Sequence, residues 1–508
     1  CKALLHDVNM KSAIVSLYGV QIYSVIVTIV VTPLLIRFLG TEGYGLIGLY
    51  FVIQMLLQVV DGGLTGTITK LSAELDPLSA NSVIKFNKFY RYFQNLINKS
   101  VLILLLLSGI IYQSSILPSL IESSLAGSTI NRSVFLMIAC VAIRFLSLPD
   151  RGLLQGLERQ KTLALTNFTT VTLRYPIAVV VMSVFSANVT LFFFFQFLVV
   201  LVEVAILKNF SRICLNNVGI SLGPKSSDNN GVTPDLKWLM KQSGSLWLIS
   251  VLWVLVSQLD KLVLSLSVPL EAFGIFSLAL VSGNLMLTMF IPINQVLMPR
   301  FVKLYEQSDS KLFTNMVFRS LQFYVCFFSI AASGLFIFGE EILFLWTRSS
   351  ELSASSSVFL GYLVVGNFIH GVTNIVFITA YAKGELVEYA KRYVTHVLVF
   401  LPISIYSAIA YKEYGVVLVW VVGTFVFFLH TAAPLLRRIF EVRTALFLLA
   451  TASIQIMLTV TAMYLFKSEF ALSAYPTLDF LIMLTSLFFC LLAINYFISH
   501  ISIKHNYG

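Results

Sequence analysis

The stretch Glu42-Gly43-Tyr44-Gly45-Leu46-Ile47-Gly48-Leu49 returns 229 positions later as Glu271-Ala272-Phe273-Gly274-Ile275-Phe276-Ser277-Leu278. The same offset lines up Ser16-Leu17-Tyr18 with Ser245-Leu246-Trp247, and no gap is needed over ~34 residues. A long apolar run precedes each copy of the motif and another follows it, so each copy reads as helix, short connection, helix. A second echo, at an offset of 226, pairs Pro176-Ile177 with Pro402-Ile403. The runs that precede the two copies cross in the same sense. That makes the repeat parallel, about an axis along a membrane normal, as in several transporter folds. Chance similarity of short apolar strings is the competing explanation, and the shared Glu-x-aromatic-Gly weighs against it.

A spanning helix needs ~20 mostly apolar residues. Read with that window, the 508 residues hold fourteen such runs, at roughly 14–36, 44–66, 101–121, 133–150, 162–185, 189–208, 244–267, 273–298, 320–346, 358–382, 393–411, 415–436, 444–466 and 479–500. The fourth is interrupted by Arg144, the fifth by Arg174 and Pro176. The expected fold is an all-α polytopic membrane protein of about fourteen transmembrane helices. The repeat divides it into a short leading segment (1–13), a six-helix lobe (14–208), a linker (209–243), a second six-helix lobe (244–436), and two added helices with a tail (437–508). The two longest connections are Lys70–Ser100 and Asn209–Ser243, the latter with a Ser/Asn/Gly-rich stretch at Ser226–Gly231.

Composition agrees. Hydrophobic residues make up 58% and charged residues 11%, with a mean hydropathy of +0.88. Soluble domains carry about 25% charged residues, so aqueous enzymes, nucleic-acid binders and disordered scaffolds are excluded. The formal net charge of +10 is informative only through its distribution. With the N-terminus inside, 26 of the 34 Lys and Arg fall on inner segments. Five fall outside (Arg37, Arg132, Arg348, Lys412, Lys467), and Arg144, Arg174 and Lys261 remain within spans. The positive-inside rule then puts both termini in the cytoplasm. Five single cysteines (Cys1, Cys140, Cys214, Cys326, Cys490) suggest neither a disulfide framework nor a metal site. Met10-Lys11 reads as a natural start, which makes residues 1–9 an upstream extension. The run from Ile14 lacks a signal-peptide cleavage site and reads as a membrane helix.

No extramembrane segment is large enough to house an active site, so the work is expected within the membrane. Ionisable groups there are costly and usually face a cavity or a partner. Arg144 and Arg174 each lie ~17–18 Å along their helices, near the midplane, and Lys261 lies in the outer part of span seven. Together they are candidates to line a cationic cavity between lobes and to hold phosphate, for which Arg has bidentate geometry. The alternative is that each pairs with a buried carboxylate or snorkels. Asp61, Asp260 and Glu203 are candidates for coupling transport to H+ or Na+, or else structural counter-ions; Glu203 reads as interfacial. Asn284 in span eight, with Asn367, His370 and Asn374 in span ten, are candidate sugar contacts. Inter-helix hydrogen bonding is the plainer explanation for them.

Leu39-Gly40-Thr41-Glu42-Gly43-Tyr44-Gly45 followed by Asp61-Gly62-Gly63-Leu64 resembles the opening of Wzx-type oligosaccharide flippases, of the multidrug/oligosaccharidyl-lipid/polysaccharide exporter superfamily. Gly152-Leu153-Leu154-Gln155-Gly156-Leu157-Glu158-Arg159 resembles the segment after their fourth span, and Asp260-Lys261 with Glu271-Ala272-Phe273-Gly274 resembles their seventh and eighth. The resemblance covers the first ~300 residues; the C-terminal third matches mainly in span pattern. It implies two six-helix lobes plus two helices in a bacterial cytoplasmic (inner) membrane. The implied cargo is an undecaprenyl-pyrophosphate-linked oligosaccharide moved from inner to outer leaflet for O-antigen, in lipopolysaccharide, or a similar surface polysaccharide. The resemblance also implies a polysaccharide polymerase and a chain-length regulator as partners, membrane lipid as surroundings, and no enzyme activity, resident cofactor or nucleic acid. By depth, Arg144, Arg174 and Lys261 are counterparts of the family's cavity cations. The rival readings are a multidrug-type exporter, a peptidoglycan-precursor flippase, and a membrane glycan polymerase or glycosyltransferase. A multidrug-type exporter would carry acidic cavity groups, and a membrane polymerase would need a large outer or acidic catalytic loop.

Overall fold

The computed structural model describes residues 2–61, 64–73, 75, 79–114, 116–217, 236–307, 310–469 and 477–507. The chain runs α1 (Lys2–Asp61), α2 (Leu64–Ala73), α3 (Ala80–Ser114), α4 (Ile116–Leu120), α5 (Gly127–Phe145), α6 (Leu148–Gly156), α7 (Gln160–Thr172), α8 (Ala178–Val184), α9 (Val189–Asn217), α10 (Leu236–Ser265) and α11 (Leu270–Glu306). It continues through α12 (Ser310–Ile337), α13 (Gly339–Thr347), α14 (Ser350–Ala382), α15 (Leu386–Ala410), α16 (Lys412–Phe427), α17 (Ala433–Arg437), α18 (Val442–Glu469) and α19 (Thr477–Tyr507). Thirteen helices among the described residues are long and apolar enough to cross a membrane. The first of them, Tyr18–Leu56, is 39 residues long, about twice what a bilayer core requires. It holds two of the expected runs, joined at Gly40, whose φ of 72° and ψ of 174° only glycine adopts without strain. The connection expected at Arg37–Gly43 is therefore a single glycine kink.

Two breaks match interruptions seen in the sequence. Span four divides into α5 and α6 around Leu146-Ser147, and span five relaxes into a π-helical turn, Leu173–Ile177, between α7 and α8. That turn contains Pro176, which has no N–H to give the helical ladder. One expectation fails. Lys70–Ser100 is not an extended connection, because α2 runs to Ala73 and α3 begins at Ala80. Phe86, Phe89, Tyr90 and Phe93 fall on one helical face and bury against Ile68, Leu71 and Leu153. A twenty-residue hydropathy window averages this stripe with the intervening Lys and Asn and misses it. At the other long connection, α9 continues to Asn217 and α10 starts at Leu236, while Ser226–Gly231 lies outside the described residues.

Contacts group the chain into two compact units, Cys1–Gly274 and Ile275–Gly508. In the first, α10 packs along α1, so the helix read as opening the second lobe belongs with the first unit. The two copies of the repeated motif meet there. A Cβ on Gly45 would lie 2.4 Å from the Leu270 carbonyl oxygen, and one on Gly274 would lie 2.2 Å from that of Thr41. Thr41 and Leu270, like Gly45 and Gly274, are 229 positions apart, so the contact is reciprocal. Around it, the Leu270 N–H donates to the Glu122 carbonyl (2.8 Å). The Glu42 carboxylate accepts from the Ser123 hydroxyl (2.8 Å) and the Ser124 N–H (3.0 Å).

In the second unit α14 packs against α12, α13 and α16. The last two helices are attached by polar side chains in otherwise apolar segments. Gln322 donates to Thr451 (2.7 Å), Gln455 to the Asn495 carbonyl (2.9 Å), and Asn495 to Thr459 (3.1 Å). Lys467 pairs with Glu341 at 2.8 Å. In lipid, apolar burial supplies little drive between helices, so such bonds and close packing do the attaching.

Adding a methyl group at Gly45 or Gly274 forces two backbones apart, whereas Gly109 has nothing among the described residues within 4 Å of an added Cβ. Gly45→Ala and Gly274→Ala are each expected to cost about 1–3 kcal/mol and lower the thermal midpoint in detergent. Gly109→Ala, inside α3, is expected to leave it level or raise it by up to about 1 kcal/mol in stability. Equal midpoints in all three variants would contradict the reciprocal contact.

Candidate functional site

The π-helical turn after α7 turns Arg174 inward, and the Gln196 amide of α9 fixes that turn by donating to the Arg174 backbone carbonyl (2.6 Å). The guanidinium meets Glu203, two turns further along α9, at 2.6 Å (Nη2 to Oε2). Arg144, at the end of α5, reaches the other carboxylate oxygen with its Nε at 3.5 Å. Arg151 of α6 also binds that oxygen, while its second terminal nitrogen donates to Asn167 of α7 (3.2 Å). Three guanidiniums thus surround one carboxylate that is wholly buried.

The reading of Glu203 as interfacial is corrected: the three arginines cover it completely. The alternative given for Arg144 and Arg174, that each pairs with a buried carboxylate, is what the structure shows, with Glu203 as their common counter-ion. Arg151 was missed because it lies past the apolar run, where it counts as a loop cation. Its spacing from Arg144, seven residues, would be two turns of an unbroken helix and was the available signal.

The cluster is not neutral. Three arginines against one glutamate leave a formal charge of +2, and the Arg144 side chain is 37% exposed. The Arg174 Nε–H is buried without an acceptor among the described residues. A buried unsatisfied guanidinium donor is expensive, and an anionic oxygen would satisfy it. The arrangement thus keeps a surplus of positive charge beside its internal counter-ion.

The remaining candidates are dispersed. Asp260 and Lys261 of α10 are both buried and paired with each other (3.2 Å) although adjacent in the helix, and Lys261 also donates to the Ser257 carbonyl (2.6 Å). Asp61 ends α1, and its side chain lies outside the described ones. In the second unit Asn367 is fully engaged. Its amide donates to the Gly283 carbonyl (2.9 Å) and its oxygen accepts from the Trp420 indole (3.1 Å), which joins α11, α14 and α16. His370 is partly buried with its ring 6.1 Å from that of Trp420; Asn374 is partly buried and Asn284 exposed. No group of three or more His, Cys, Asp or Glu among the described residues is disposed to hold a metal ion.

A family model described as polysaccharide biosynthesis protein matches residues 11–305, more than half of the chain. No curated protein matches it in sequence. Among solved structures, the lipid II flippase MurJ in an inward closed conformation is similar at 12% identity and a TM-score of 0.63, covering 97% of this chain and 98% of that one. An inward-facing multidrug resistance MATE family transporter of the MOP superfamily also scores 0.63 at 12% identity, covering 82% and 97%. A MOP superfamily transporter from Pyrococcus furiosus, described as having a binding pocket of reverse polarity, scores 0.53 at 14% identity, covering 84% and 96%. At these identities the likeness is one of fold.

Removing the shared carboxylate strands three guanidiniums. Glu203→Gln is expected to cost about 3–5 kcal/mol and to lower the thermal midpoint and folded yield. Adding Arg151→Gln to it should recover part of the loss. A Glu203→Gln variant as stable as the parent would show that the carboxylate is dispensable.

Proposed function

We propose, from the premise that the chain belongs to the polysaccharide biosynthesis protein family, that it is the flippase for an undecaprenyl-pyrophosphate-linked oligosaccharide repeat unit. Its fold is that of the MOP-superfamily transporters and flippases it resembles. In this reading it carries the repeat unit from inner to outer leaflet of a bacterial cytoplasmic membrane by alternating access, with both termini cytoplasmic. The product feeds O-antigen or a similar surface polysaccharide, and a polymerase and chain-length regulator act next.

The observation that carries the reading is the surplus positive charge around Glu203, together with the buried Arg174 donor that has no acceptor among the described residues. A pyrophosphate has the charge and oxygen geometry for arginine forks, and Lys261 serves as a further cation once freed from Asp260. Glu203 acts as counter-ion, and Asp260 and Asp61 are left to couple the cycle to H+ or Na+. Asn284, His370 and Asn374 are offered to the sugar, whereas Asn367 is engaged in holding helices together. A cavity serving cationic drugs would be expected to carry surplus negative charge, which disfavours the multidrug exporter.

Arg144→Ala and Arg174→Ala are each expected to abolish surface glycan at unchanged protein level, and Arg144→Lys to restore part of it. Immunoblotting of surface polysaccharide and of the protein checks this. Normal glycan in both Ala variants would contradict the role of the cluster. Asp260→Asn is expected to blunt the dependence of transport on the ion gradient in vesicles, an effect absent if Asp260 only balances Lys261.

A further inference from the structure

A polar cavity lies in the first unit, walled by α3, α6 and α9, and its lining includes none of the side chains of the arginine cluster. It measures about 470 Å³, within the range of small-ligand sites. Lys208 and Arg212, one turn apart on α9, line it and are exposed. Asp150 lines it as well but is buried at 3% exposure, with one carboxylate oxygen accepting from the Tyr90 hydroxyl at 2.8 Å. Gln94 and Asn98 of α3 add amides. Among the described residues no ion pair joins Asp150 to either cation, so opposite charges sit in one cavity without neutralising each other in contact.

That pattern selects against simple ions. A plain anion drawn to Lys208 and Arg212 meets the Asp150 carboxylate, and a plain cation drawn to Asp150 must pass two positive side chains; like charges so placed disfavour the wrong ligand. A ligand with a phosphate and an ammonium on one short scaffold uses both. The flanking helices point to where it comes from. One turn from the cavity, α3 exposes Leu102 and Ile103 and α9 exposes Leu201 and Val202, all apolar, a surface suited to acyl chains. On the topology expected from the sequence the cavity lies among the inner, Lys/Arg-rich segments, a side on which basic pockets between helices are known to take the phosphates of anionic lipid headgroups.

We infer that this cavity binds the headgroup of a zwitterionic, ethanolamine-type phospholipid. The phosphodiester lies between Lys208 and Arg212 and the ammonium on Asp150. The site is independent of the cargo, so its test does not turn on the flippase reading.

The experiment is native mass spectrometry of the purified full chain, equilibrated with equimolar phosphatidylethanolamine, phosphatidylglycerol and phosphatidylcholine of matched acyl chains. The ethanolamine lipid is expected to be retained over the glycerol lipid at least about fivefold. Asp150→Asn, which keeps an acceptor for Tyr90, should bring that ratio to near one. Lys208→Gln with Arg212→Gln should lose both lipids, while Lys303→Gln, an exposed cation elsewhere, should change neither. Equal retention of the glycerol and ethanolamine lipids by the parent would overturn the inference in favour of a general anionic-lipid site. An unchanged ratio in Asp150→Asn that elutes as a folded species would overturn it as well.

Discussion

Glu203 is one carboxylate shared by three arginines, and its own side chain is wholly buried. Much of the first unit is organised around that shortage. Taking charges out of water costs several kcal/mol per ion unless each finds a partner, and five polar side chains from four helices and a π-turn converge to meet the demand. Arg144 arrives from α5, Arg151 from α6, Arg174 from the turn between α7 and α8, with Asn167 and Gln196 as supports. The break at Leu146-Ser147 and the π-turn at Pro176 would be defects in an ordinary spanning helix. Here they bring Arg151 and Arg174 onto Glu203. One carboxylate cannot neutralise three cations, and the anion-binding role proposed for the cluster rests on that surplus.

The repeat supplies the second constraint. Gly45 and Gly274 approach the carbonyls of Leu270 and Thr41, residues that correspond to one another through the same 229-position offset. A duplicated motif that packs on its own copy needs small residues at the same place in both copies, which is what the Glu-x-aromatic-Gly pattern provides. The sequence similarity and the contact are thus two views of one event, and the contact weighs against chance similarity of apolar strings.

Hydropathy made the fold largely legible, because fourteen apolar runs are each long enough to read without knowledge of neighbours. What stayed hidden was amphipathic. The stripe from Phe86 to Phe93 lies in a segment dominated by Lys and Asn, and only its packing on Ile68 and Leu153 reveals it. The site was half legible. Arg144 and Arg174 stand out as charges inside apolar runs, and the structure joins them. Glu203, near the end of its run, carried no sign that it would be their shared partner, and Arg151 looked like a loop cation. Pairings across helices depend on rotation about helix axes, which spacing along one helix does not encode. Asn367 shows the converse. Its stripe with His370 and Asn374 is evident in the sequence, but Trp420 and Gly283 claim the Asn367 amide for packing.

The measurement that tests the central claim most directly is the lipid-linked glycan pool of a deletion strain, resolved by leaflet. The account predicts undecaprenyl-linked units accumulating on the cytoplasmic side, surface glycan lost, and both restored by the intact chain but not by Arg174→Ala. Units reaching the outer leaflet yet remaining unpolymerised, or a pool that does not change, would contradict it.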